Sequence, residues 1–303
     1  MGIAEVIPGV SGGTIAFITG IYERLINAIK GILGPEVIGT LRNNGFKAAW
    51  RVADGNFLLF LLLGMLTGLV AGVFGVSHLL AEYPSLLWAF FFGLIIASCI
   101  YIGRKVKSWG IAEIIAILAG TALAYYITIA NPAQGSESLL VVFVAGMIAI
   151  SALILPGISG SFMLLLMGMY TFILPTVKTA LKTFDTGSLI VVAVFALGCL
   201  VGLALFSRIL AWTFKNYHDP TLALLTGFML GSLNKIWPWR NVVEYRTNSH
   251  GEQVPFIEHN VLPAQFEGEA YFWGAIVLAI IGFTAVFLLD RFGTKPELKE
   301  NEI

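Results

Sequence analysis

The sequence predicts an all-α polytopic membrane protein built as two inverted-topology repeats, with broken or re-entrant helices meeting near the membrane midplane. Three observations carry that expectation. The 303-residue chain is 57% hydrophobic and only 12% charged, with a mean hydropathy of +0.86, whereas a soluble domain carries about 25% charged residues. Apolar windows recur along its length, and two of them, Asn56–Leu80 and Gly187–Ser207, hold no Asp, Glu, Lys or Arg; a helix needs about 20 such residues to span roughly 30 Å of hydrocarbon. One motif is written twice, as Pro8-Gly9-Val10-Ser11-Gly12-Gly13-Thr14 reaching Gly20 and Tyr22, and as Pro156-Gly157-Ile158-Ser159-Gly160-Ser161-Phe162 reaching Gly168 and Tyr170.

Taken in order, the apolar windows are Thr14–Leu33, Asn56–Leu80, Leu86–Gly103, Ile111–Ala130, Ser138–Leu155, Phe162–Val177, Gly187–Trp212, Thr221–Trp237 and Tyr271–Leu289. The second motif follows a full apolar segment, but the first follows only seven residues. With five elements per repeat, the opening helix of the first repeat is expected upstream of Met1. Met1–Glu5 has neither the basic start nor the apolar run of a signal peptide. The first repeat is read as residues 1–137 and the second as 138–289. Within the first, Gly34–Gly55 carries Phe46, Lys47, Trp50 and Arg51 and reads as a helix lying in the cytoplasmic interface. Arg240–Glu269, polar and holding five Glu, reads as an external loop or cap, and the charged tail Asp290–Ile303 as cytoplasmic and disordered.

Further matches mark the duplication. Gly64 and Gly68 parallel Gly198 and Gly202, while Gly93 and Ser98 parallel Gly227 and Ser232, all at a second, shorter offset. Gly-x-x-x-Gly by itself means close helix packing in lipid; here it also marks the register. An odd number of elements makes the second repeat enter from the opposite side. If each element crosses once and the loop after the first motif is cytoplasmic, thirteen Lys and Arg fall inside and five outside (Lys178, Lys182, Lys235, Arg240 and Arg246). That split obeys the positive-inside bias.

Each motif is a helix break with consequences for ligands. Pro8 and Pro156 end the incoming helix and suit the first turn of the next, and Gly9 and Gly157 permit backbone shapes closed to other residues. Ser11 and Ser159 are placed to cap a half-helix or to bond a ligand. Unpaired N–H groups at the positive end of a helix dipole attract anions. Two such ends, with Ser11, Gly12, Gly13, Thr14, Ser159, Gly160 and Ser161, form the candidate site for a phosphate group. Arg208, inside a long apolar run, is the candidate cationic partner, although it also suits a residue snorkelling to the interface. Glu5, three residues before Pro8, is the candidate for proton uptake and release, or for pairing with Arg24. Paired breaks at membrane depth are the pattern of an inverted-repeat transporter.

Other chemistries find little purchase. Cys99 and Cys199 lie within apolar helices, and His78, His218, His250 and His259 lack metal-ligand spacing. No cofactor, metal or nucleic-acid partner is expected, and the oligomeric state is not legible.

Glu5–Glu23 and Leu155–Ser161 closely resemble the two signatures of the PopT-type polyprenyl-phosphate translocases, a likeness that covers nearly the whole chain. The resemblance implies a bacterial or archaeal cytoplasmic-membrane flippase that returns undecaprenyl phosphate to the cytoplasmic leaflet for cell-envelope synthesis, with a proton or sodium gradient as a conceivable drive. Two alternatives stand beside it. A small-anion secondary transporter fits the same backbone site. Integral undecaprenyl-diphosphate phosphatases share broken inverted repeats, but they carry an Arg where this chain has Gly12 and Gly160. Without a cation to stabilise transition-state charge, phosphoryl transfer lacks its main catalytic term.

Overall fold

The computed structural model describes residues 1–5, 11–32, 34–247 and 253–293. The first repeat contains α1 (Gly2–Glu5), α2 (Gly12–Ile18), α3 (Tyr22–Ile32), α4 (Pro35–Asn44), α5 (Phe46–Val52), α6 (Gly55–Glu82), α7 (Pro84–Gly103) and α8 (Ile111–Ile129). The second contains α9 (Leu139–Ile154), α10 (Gly160–Leu166), α11 (Tyr170–Thr183), α12 (Thr186–Asn216) and α13 (His218–Ser232), then the strands β1 (Arg240–Thr247) and β2 (Gln253–Asn260), and finally α14 (Phe272–Gly293). The protein is an all-α polytopic membrane protein carrying one small β-hairpin.

Among the described residues, four helices, α6, α7, α8 and α12, are long and apolar enough to cross a membrane, and α13 and α14 run alongside α8 and α7. The windows Thr14–Leu33 and Phe162–Val177 do not become single crossing helices. Each divides at its conserved-offset glycine: Gly20 has φ +73° and Gly168 has φ +66°. A residue with a Cβ adopts that left-handed region only at a cost. The axes of α10 and α11 differ by 114°. Ala133 N, in the loop that leads into α9, donates to Leu166 O at the end of α10 at 2.7 Å. So α9 enters the membrane, breaks at the Pro-Gly pair, and α10 returns towards the side from which α9 came. A seven-residue helix is about 10 Å long, which makes this a re-entrant hairpin. The expectation of five single crossings gives way to one re-entrant hairpin followed by α12, α13 and α14, of which α12 is long and apolar enough to cross a membrane.

Helix pairing is exchanged between repeats: α7 packs on α14, and α8 on α13. Gly93 and Gly227 lie at these seams, whereas Gly64 has nothing within 4 Å of an added Cβ and so does not share the packing role of Gly198. A Cβ on Gly93 would run into Ala279 O, and one on Gly227 into Ile117 O. Within the second repeat, a Cβ on Gly198 would meet Phe143 O, and one on Gly202 would come 2.6 Å from Met147 Cα. With little hydrophobic drive between helices in lipid, backbone approach and dispersion hold the pairs. Tyr22, Ile95, Ile102, Leu225 and Met229, drawn from both repeats, are almost completely buried in one shared core. In contrast, α6 shows most of its apolar surface to the surroundings, with Phe60 and Phe74 exposed.

Three segments differ from expectation in detail. Gly34–Gly55 forms two short helices, because Gly45 at φ +80° interrupts it. The expected polar loop 240–269 contains an antiparallel hairpin, Arg240 facing Asn260 and Val242 facing Glu258, with an irregularity at Glu244. Val242, Val243, Tyr245 and Ile257 supply the β-branched and aromatic character that strands favour, a signal masked by the glutamates. Asp290–Gly293 continues α14 instead of opening a disordered tail; 294–303 lie outside the described residues.

The glycine seams make a direct prediction. Gly93→Ala should destabilise the protein by roughly 1–3 kcal/mol through overpacking, whereas Gly75→Ala, with nothing within 4 Å of the added methyl, should be neutral or mildly stabilising. Thermal unfolding in detergent checks the contrast.

Candidate functional site

The two breaks meet, and they are wired differently. Ser11 caps α2 with its Oγ accepting from Gly13 N at 3.0 Å, and the same hydroxyl donates across the repeat boundary to Leu153 O at 3.1 Å. Thr14 Oγ1 accepts from Gly157 N at 3.0 Å. Ser11 is 1% and Thr14 0% exposed, so both hydroxyls are committed to holding the opposite break. A Cβ on Gly13 would collide with Ile154 O, which explains why the motif needs glycine there.

The first helix start already has an anion. Glu5 Oε1 accepts from Gly12 N at 2.8 Å, so a carboxylate of this chain occupies an amide of the α2 N-terminus. A negative charge at that position is electrostatically favoured. Arg24 engages elsewhere: its Nε and Nη2 grip Asp54 at 2.6 and 3.0 Å, and its guanidinium lies 4.4 Å from the centre of the Phe57 ring. The expected Glu5–Arg24 pair is thus replaced by an interfacial Arg24–Asp54 pair, which holds the Asp54 carboxyl below its ordinary range through the hydrogen bond from Arg24. Pro8 and Gly9 lie outside the described residues.

The second break leaves its hydroxyls open. Ser159 is the N-cap residue of α10 in extended conformation, but its side chain makes no capping bond. Instead its Oγ lies 2.9 Å from Ser161 Oγ, in an exposed pair. Gly157 has φ +81°, and a Cβ there would approach Phe228 O at 2.9 Å, so glycine is required on both counts. Gly160 is buried beneath Ala149, where a Cβ would come 2.5 Å from the carbonyl oxygen. Arg208 folds back on its own helix, Nη1 donating to Ala204 O at 2.9 Å.

Sequence reasoning passed over His218. Its ring nitrogens lie 3.1 Å from Asp219 Oδ1 and 3.3 Å from Glu23 Oε1, joining α3 to the start of α13 beside an open pocket lined by Gly20, Tyr22, Lys105 and Leu222. Glu23 and His218 are 195 positions apart, so no local spacing reveals the contact.

The family model described as undecaprenyl phosphate translocase-like matches residues 1–254. A protein of Vibrio cholerae named polyprenyl-phosphate transporter is 41% identical over 299 residues, covering 97% of this chain and 94% of its own. One of Staphylococcus aureus with the same name is 34% identical over 252 residues, covering 78% and 83%. No solved structure matches. These names denote transporters, not enzymes, which removes the phosphatase alternative.

The wiring predicts unequal costs. Thr14→Val strands the Gly157 amide and should cost about 1–3 kcal/mol of stability, whereas Ser161→Ala, at an exposed hydroxyl, should stay within about 0.5 kcal/mol; thermal melts of the two variants test this. On the match of its family model and the likeness of these relatives, the chain belongs to the undecaprenyl phosphate translocase-like family.

Proposed function

We propose that the chain carries undecaprenyl phosphate from the outer to the cytoplasmic leaflet of a bacterial cytoplasmic membrane, making the lipid carrier available again for cell-envelope synthesis. The observation that carries this reading is the meeting of two breaks, one closed and one open, in a chain whose relatives are named polyprenyl-phosphate transporters. Ser159, Gly160 and Ser161 offer hydroxyls and the first amides of α10 to a phosphate head. The polyprenyl tail stays in lipid while the head crosses. Without such a site, a charged head would face a cost of at least several kcal/mol at mid-membrane, on the order of that for charged side chains.

Glu5 supplies a coupling device. As a carboxylate it holds Gly12 N, the amide that a phosphate would take at the first break, while Ser11 and Thr14 stay committed to the opposite break. Protonation of Glu5 weakens its hold and opens the first break to the head; once the head has left, Glu5 releases the proton to water and the carboxylate is restored to Gly12 N. A proton, rather than sodium, is therefore the preferred coupling ion. Arg208 serves as a cation along the path on α12, a role that its partly buried position allows.

Flipping of labelled undecaprenyl phosphate in proteoliposomes tests the reading. The wild type should move the label, Ser159→Ala/Ser161→Ala should slow it roughly tenfold or more through lost bonds to a charged group, and Glu5→Gln should remove its dependence on a pH gradient. Folded protein that moves a soluble anion but not the lipid would establish the small-anion alternative instead.

A further inference from the structure

Three ionised side chains converge beneath the hairpin, at the end of the bundle where α13 hands over to β1. Arg240 Nη1 donates to Glu258 Oε2 at 2.7 Å, and Lys235 Nζ lies 3.5 Å from the same oxygen. Their side chains are 7%, 18% and 21% exposed for Arg240, Glu258 and Lys235. Two cations thus share one carboxylate oxygen, leaving a net positive charge in a largely buried place. Arg240 Nε is buried without an acceptor among the described residues. The walls are aromatic: the Arg240 guanidinium lies 4.4 Å from the Trp88 ring centre, and the Lys235 ammonium 5.0 Å from that of Phe162. Phe162 directly follows Ser161 in the open break. Burial pulls Arg240 below its ordinary range, and Glu258 only partly offsets this.

We propose that Lys235 and Arg240 form a receptor for the phosphate monoester head of the lipid, held ready by Glu258, from which the head passes to Ser159 and Ser161. The proposal rests on the transport reading above and places the first contact on the hairpin side. A buried cation excess calls for a second anion, arginine and lysine are the side chains that bind phosphate oxygens, and Arg240 has a buried donor to offer. Glu258 acts as a stand-in for the ligand, keeping the two cations in place until a phosphate displaces it.

A simple strut pinning the hairpin to the bundle behaves differently under substitution. Equilibrium binding of radiolabelled undecaprenyl phosphate to the full chain in nanodiscs, with inorganic phosphate as a second probe, separates the two. Lys235→Gln should weaken lipid binding roughly tenfold, Lys235→Arg should restore it, and Glu258→Gln should tighten it by removing the competing carboxylate. A strut predicts unchanged or weaker binding for Glu258→Gln, and that result overturns the proposal. Wild-type flipping with binding unaltered in Lys235→Gln and Glu258→Gln also overturns it, leaving the transport reading intact. A wild type that neither binds nor flips the lipid removes both. Inorganic phosphate bound with these mutational signs, without lipid binding, identifies a soluble ligand and overturns the lipid receptor.

Discussion

Backbone polar groups inside a membrane must find partners within the protein, because hydrocarbon offers none. A Pro-Gly break violates the helical solution to that requirement, and the structure answers by letting the first repeat complete the broken backbone of the second. Ser11 takes up the orphaned Leu153 carbonyl, and Thr14 the Gly157 amide. Neither bond is possible within one repeat. The re-entrant hairpin of the second repeat, the shared core and the open hydroxyls of the second break all depend on this satisfaction.

The same constraint explains the asymmetry. Two copies of a motif packed against each other cannot both leave their hydroxyls free and also satisfy the broken backbone. The first copy, with Thr14 where the second has Phe162, reaches across and becomes the buried staple. In the second copy, Ser159 and Ser161 turn to each other at an exposed position. A carboxylate then sits on the amide that the first copy would otherwise expose. The pair is thus one anchored half and one accessible half, an arrangement suited to binding a head group without losing the fold.

Charge placement follows related logic at two depths. The sequence predicts a thirteen-to-five division of Lys and Arg between the two sides, but the five expected on the minority side are not all alike. Lys235 and Arg240 are drawn under the hairpin by Glu258, whereas Arg24 on the other side meets Asp54 in an exposed bidentate pair, where solvent screening leaves little energy. The buried cluster is therefore the more consequential of the two.

Membrane class, duplication and the location of the breaks were legible in the sequence, because they rest on composition and on local rules for Pro, Gly and hydroxyl residues. The glycines Gly93, Gly198, Gly202 and Gly227 were readable as packing marks for the same reason. Sequence could not say that Gly20 and Gly168 divide their windows into separate helices, since a single glycine is also compatible with a continuing helix. Nor could it show the hairpin's hold on Lys235, the His218 bridge, or which copy of the motif would be buried. Those depend on contacts between residues far apart in the chain, such as Thr14 with Gly157 and Glu23 with His218. A local pattern names the groups that need partners; only the packing of one repeat against the other decides which partners they receive.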